Sequence, residues 1–287
     1  MDIISTCATL AAMLAAAQGG ETIKLAKGSS CGTVLVDRRF PRTVTIDADG
    51  STVRGLRVRD GGNLRWRSGR IEAAGGLNGT GADGYGVHLL RAADVRLEGV
   101  LVTKARMGVV VDGGQRITVA DSRLWRVRSD GVHAYNVDGL TITRNHFSES
   151  MPVPSRCVIG VVVIEGLPRA ACPGVWTDGD HPDAVQVRNG VQNLTLTLNT
   201  VRGRTQGLAQ MDSYGDAALV NVVVENNDVV TDAYHRITFG NCINCRIRFN
   251  WVARAPGSDK KARIIAGRGV LECGNTVQDG RSEPCAK

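Results

Sequence analysis

The segment Thr177-Asp178-Gly179-Asp180-His181-Pro182-Asp183-Ala184-Val185-Gln186 gathers carboxylates and a histidine just ahead of an apolar alternation. A second segment, Ser129-Asp130-Gly131-Val132-His133 with Tyr135 beyond it, has the same layout. If the chain sets these segments side by side, Asp130 meets Asp183 and His133 meets Gln186. Two carboxyls in contact do not both ionise cheaply, so one is pushed towards its neutral form, as a general acid requires. A histidine beside them is a natural base near neutral pH. His133, His181, Asp183, Asp130 and Tyr135 are therefore the candidate catalytic groups. Asp178 and Asp180, with Asp183, offer oxygen ligands to Ca2+, although the spacing is not that of an EF-hand loop. The plainer alternative is that Asp130 and Asp183 cap turns by accepting backbone N–H bonds, and that His181, standing before a proline, fills a turn.

Positioning these groups side by side is the work of a repeat. The pattern Asn-x-apolar recurs at Asn145, Asn199, Asn227, Asn250 and Asn275, and the same register runs upstream through Asp49, Gly69, Val100 and Ser122. Successive spacings are 20, 31, 22, 23, 54, 28, 23 and 25 residues. Apolar residues stand five before each marker (Val44, Leu64, Val95, Ile117, Leu140, Leu194, Val222, Cys245, Val270) and three before nearly all, failing at Glu272. Period-two alternation means strands with one face inward. A marker Asn at the bend tolerates left-handed backbone, and its amide can bond the same amide one coil on. Coils of about 23 residues stacked in this way make a solenoid.

A second strand lies about twelve residues before each marker. Its outward positions read His88, Val110, His133, Gln186, Gln210, Thr238 along the axis, and two places on Leu90, Asp112, Tyr135, Arg188, Asp212, Gly240. Three places before the first column stand Tyr85, Met107, Asp130, Asp183, Gly207 and His235. Residues one coil apart are separated by about 4.8 Å. Lys104, Arg106, Arg126 and Arg128 occupy the turns that lead into this strand. The gap of 54 is either two coils or one coil carrying an insertion. Four prolines and two cysteines within Met151–Trp176 favour an insertion, one that walls a groove or merely decorates the solenoid.

Composition agrees with this reading. Hydrophobic residues at 43% suffice for a core, while 4% aromatics and 35 glycines suit Val/Ile/Leu strands joined by tight turns. A net charge of +7 favours polyanionic partners or simply a soluble cationic surface. No recognition helix, zinc finger or base-stacking motif points to nucleic acid. No apolar run is long enough to span a membrane. The eight cysteines pair as sequence neighbours into 7–31, 157–172, 242–245 and 273–285, one of many possible connectivities. Zinc at Cys242-x-x-Cys245 is the rival, with no second such pair. Disulfides imply an oxidising compartment, hence a secreted or periplasmic protein whose export signal is absent from this chain. Thr6–Gln18 reads as an amphipathic helix covering one end of the solenoid.

These repeats, with the opening GETIKLAKG, resemble the pectin-lyase-like superfamily of right-handed parallel β-helices, which includes bacterial β-helix-repeat proteins and phage tail depolymerases. The likeness covers nearly the whole chain. It implies an all-β right-handed parallel β-helix with an N-terminal capping helix, one domain over 1–287, a cap at about 1–20 and an insertion at about 148–180. It also implies a carbohydrate-active protein whose glycan lies on the outer face of the upstream strand. A lyase acting on an acidic glycan by β-elimination needs a cation for the uronate and a base for the C5 proton. Lys104, Arg106, Arg128, Gln186, Arg188, Gln210, Asp212 and His235 are the expected substrate contacts, with no cofactor or with Ca2+. A hydrolase would use Asp130, Asp183 and Asp212. A non-catalytic glycan binder would need only the polar face. The state expected is monomer or homo-oligomer.

Overall fold

The computed structural model describes residues 2–177, 179–211, 216–280 and 283–285. The chain winds into three parallel sheets. The first runs through Val34–Val36, Leu56–Arg59, Val132–Tyr135, Asp183–Arg188, Gln206–Gln210, Ile237–Phe239 and Ile264–Ala266. The second runs through Thr22–Leu25, Arg39–Asp47, Gly62–Arg67, Asp138–Thr143, Gln192–Thr197, Leu219–Glu225, Cys242–Arg248 and Val270–Cys273. Two 14-residue strands, Tyr85–Glu98 and Met107–Ala120, pass through both. The third has ten short strands, from Ser30–Cys31 to Thr276–Val277. Every ladder in these sheets is parallel, and one apolar core cluster runs from Leu10 and Leu14 to Ala262.

The markers are stacked as a buried amide ladder. Asn145 donates to Asn199 at 3.1 Å, Asn199 to Asn227 at 3.0 Å, Asn227 to Asn250 at 2.9 Å and Asn250 to Asn275 at 2.9 Å. The second amide proton of each goes to a carbonyl of the preceding coil, as Asn199 to Ile142 at 2.8 Å. One expectation needs correcting. The left-handed residue at this bend is the one before the marker: Asp121, Arg144, Leu198, Asn226 and Phe249 have φ between 52° and 59°. The asparagine is selected for its amide, which satisfies buried backbone groups on both sides.

The gap of 54 is one coil with an insertion, because Asn145 bonds directly to Asn199 and His133 pairs with Gln186. The insertion forms its own antiparallel sheet from Arg156–Ile159, Val162–Glu165 and Val175–Thr177. The disulfides are Cys7–Cys31, Cys157–Cys172, Cys242–Cys245 and Cys273–Cys285. The N-terminal helix spans Cys7–Ala16 and buries only Leu10 and Leu14, a narrower apolar face than the sequence suggested because alanines surround it. Ahead of it, Asp2–Ser5 adds a strand beside Thr22–Leu25 that the repeat did not announce. No helix among the described residues is long and apolar enough to cross a membrane.

Candidate active site

Each turn entering the first sheet delivers one side chain three residues before the strand's outward position. In two adjacent coils those pairs are Asp130 with His133 and Asp183 with Gln186. Strand alternation sends Val132, Ala134, Val185 and Val187 into the core and leaves His133, Tyr135, Gln186 and Arg188 on the outer face. The turn at Asp130 must lie close beneath its neighbour. A Cβ on Gly131 would stand 2.6 Å from the Ala184 carbonyl oxygen and 2.7 Å from the Phe147 ring, so glycine is required there.

The two carboxylates lie under the surface, with Asp130 3% exposed and Asp183 1% exposed. Asp130 Oδ2 is 2.8 Å from His133 Nδ1, and its Oδ1 accepts the Asp183 backbone N–H at 3.2 Å. Asp183 Oδ2 accepts Gln186 Nε2 at 2.8 Å, while its Oδ1 is buried without a hydrogen-bond partner. Burial, then the Asp130 charge, pushes the Asp183 carboxyl well above the usual carboxylate range, against the Gln186 bond. Asp130 caps the neighbouring turn through one oxygen and orients His133 through the other. A carboxylate on Nδ1 fixes the tautomer and turns the Nε2 lone pair outward, the arrangement of a general base.

Around His133 stand aromatic and cationic groups. The Tyr135 ring meets it edge-on at 5.8 Å between centroids. Burial and a hydrogen bond to Asp112 push the Tyr135 phenol up to about 12, so it carries its proton at neutral pH. Arg188, beside Tyr135, is ion-paired with Asp216 at 2.9 Å. One turn upstream, Arg106 lies over the Tyr85 ring at 5.5 Å, and Tyr85 touches His88 edge-on at 5.4 Å.

Several expected contacts have other roles. Arg128 holds the insertion down, its Nε 2.6 Å from Asp180 Oδ2 and its Nη1 3.2 Å from Asn78. Asp180 also accepts the Val153 N–H at 2.8 Å, so its carboxylate is committed. Asp178 and Asp212 lie outside the described residues. Asp183 is buried and Asp180 is bound to Arg128, and no metal-holding cluster of His, Cys, Asp or Glu occurs among the described residues. Lys104 pairs with Glu72 at 3.1 Å and, like Arg126, has positive φ at the exit of the third sheet, away from the His133 face. The register also corrects the outward column. Gln186 pairs with Ala209, and Asp183 with Gln206, so Gln210 points inward beside Leu208. There its Oε1 accepts the Gly240 and Asn241 N–H groups at 3.0 Å.

His181 and His235 meet elsewhere, in a cleft of about 640 Å3 one coil beyond Asp183, lined also by Tyr234, Arg204, Asp232 and Lys260. Burial lowers the His235 pKa and raises that of Asp232. The cleft wall is held by Arg236, a residue the repeat pattern gave no reason to single out. Its side chain is fully buried and donates to the carbonyls of Thr231 at 3.0 Å, Ala253 at 3.0 Å, Lys260 at 2.9 Å and Lys261 at 2.5 Å.

No family model matches the chain, nor does any curated protein. Among solved structures, the Dettilon tailspike protein is similar over 94% of this chain and 56% of its own, at 13% identity and a TM-score of 0.58. The chain thus spans little more than half of that protein. An alginate lyase from Paenibacillus aligns over 94% of this chain and 99% of its own at 12% identity, with a TM-score of 0.45. A pectate lyase aligns over 96% and 73% at 14% identity, with a TM-score of 0.42. What is shared at such identities is the fold, a parallel β-helix.

Proposed function

We propose that the protein is a carbohydrate-active enzyme, a lyase that cleaves an acidic, uronate-containing glycan by β-elimination outside the cytoplasm. The observation that carries this reading is the buried Asp130 holding His133 Nδ1 at 2.8 Å on the outer face of the first sheet. His133 Nε2 takes the proton from C5. The electron pair left on C5 forms the C4–C5 double bond as the C4–O bond breaks. The Tyr135 phenol, protonated at neutral pH, supplies the proton to the departing oxygen. Arg188, paired in register with Tyr135, is the cation offered to the uronate carboxylate, sharing its charge with Asp216.

A two-carboxylate hydrolase built on Asp130 and Asp183 draws less support, because both side chains lie beneath the face a glycosidic oxygen would touch. The four disulfides agree with an oxidising, extracellular or periplasmic setting. The test is ultraviolet absorbance of the unsaturated uronate on a panel of acidic polysaccharides, with calcium and with a chelator. A rise with one polymer that disappears in His133→Ala supports the lyase. New reducing ends without a rise in absorbance would sink it in favour of hydrolysis.

A further inference from the structure

The third sheet's outer face carries charge that the proposed reaction does not use. Arg123 and Arg126 lie on the Trp125 ring, at 5.3 and 4.4 Å from its centroid. His146 pairs with Arg123 one coil on, and Arg202 follows Ser148 in the neighbouring strand. Burial, then the Arg123 and Arg202 guanidiniums, holds the His146 pKa below its ordinary value. Arg126 is paired with Glu149 and Arg202 with Asp228, and Arg123 also acts on the Glu149 carboxylate without forming an ion pair with it.

Beside these residues lies a cleft of about 550 Å3 lined by Arg126, Ser148, Arg202 and Arg204, with Glu149 on the same wall. Ser148 is 9% exposed, and its Oγ is buried with no hydrogen-bond partner, a polar atom left for a ligand to satisfy. Arg204 lines both this cleft and the one holding His181 and His235, so the two meet at its side chain.

We infer that the third-sheet face around Arg123, Trp125, Arg126 and Ser148 is a second, non-catalytic binding surface for an anionic polysaccharide. The inference deepens the glycan reading above but does not depend on cleavage. Arg123 and Arg126 in one coil and Arg202 two coils on present guanidinium groups that complement the carboxylates of a polyuronate chain. Planar guanidinium groups held on an indole present their N–H donors edgewise to carboxylate oxygens, with little conformational freedom left to lose. The junction at Arg204 lets one chain occupy this surface and the first-sheet cleft together, raising its effective concentration at the site.

The test is binding of polygalacturonate and alginate to the His133→Ala protein by affinity electrophoresis, with neutral dextran and single-stranded DNA as comparison ligands. The exposed pair Arg123→Gln/Arg126→Gln is expected to weaken polyuronate binding about tenfold. In the His133-intact protein, the same pair should leave turnover of a short oligouronate unchanged. Unchanged polyuronate affinity in the double variant, or tighter binding of DNA than of either polyuronate, overturns the inference. Because the readout is affinity, absence of any cleavage product counts against the proposed reaction alone.

Discussion

The outer faces of the first and second sheets are built on the same coils and the same spacing, yet they spend their polar groups in opposite ways. Along the second sheet and the bends that leave it, cations lie beside acids of the neighbouring coil or strand. Arg144 meets Asp121 at 2.6 Å, Arg67 meets Asp47 at 2.6 Å, and Arg246 and Arg248 share Glu225 at 2.8 and 2.7 Å. Beside these pairs, Thr197 donates to Thr143 at 3.1 Å, and an exposed amide row runs from Asn244 through Asn221 and Asn193 to Asp138. The lattice is closed upon itself and offers little to a ligand. On the first sheet two carboxylates, Asp130 and Asp183, are withdrawn under the surface, where they hold His133 and Gln186 from behind. The forward atoms are left to something outside. The difference is where the acid sits, one residue beside the strand position or three residues upstream in the turn.

That contrast is broken most sharply at His133. His133→Ala is expected to lower turnover roughly 100- to 10,000-fold, the range for a lost general base, with an unchanged circular dichroism spectrum. Asp130→Asn keeps the side-chain shape but reverses the hydrogen-bond preference at Nδ1. Turnover should fall roughly a hundredfold or more while KM stays near its original value, since the asparagine acts only through the imidazole. A KM rise with kcat intact would place Asp130 in substrate binding instead.

The next effect is on stability. The Asp183 carboxyl is raised in the folded protein above its unfolded value near 3.8. The folded state therefore holds a proton that the unfolded chain has released, so this contribution is full below pH 3.8 and is lost as pH rises through the folded pKa. Asp183→Asn removes that slope. Its melting temperature should exceed that of the parent at neutral pH, with the gap closing in acid. A variant that melts lower at every pH would mean that the carboxylate, not the neutral acid, is the native form. Smallest of all is Arg144→Ala on the second sheet. An exposed pair in a self-neutralising lattice should change neither turnover nor melting temperature measurably.

The fold was legible because two periods coincide: alternation within strands and a return of apolar residues about every 23 positions. The pairing of His133 with Gln186 was legible for the same reason, since both strands alternate cleanly. Legibility failed where alternation failed. In Leu208-Ala209-Gln210-Met211 neighbouring residues are all apolar except Gln210, so nothing in the sequence says which faces inward. The structure turns Leu208 and Gln210 in, shifting the column by one. The burial of Asp130 and Asp183 was hidden because a turn's depth depends on its neighbours, here the close approach that Gly131 permits. Arg236 was hidden because its carbonyl partners come from separate turns, which no local pattern brings together.

The insertion between Ser148 and Asp183 leaves the buried ladder unbroken, with Asn145 bonded to Asn199 at 3.1 Å as though their coils were consecutive. A length of chain placed there is invisible to the scaffold, and it closes its own small sheet and its own Cys157–Cys172 bridge. Arg128, reaching Asp180, is the latch. The solenoid therefore behaves as a socket. One insertion can be exchanged for another of different length or chemistry, by drift or by graft, while the strand beneath keeps its register.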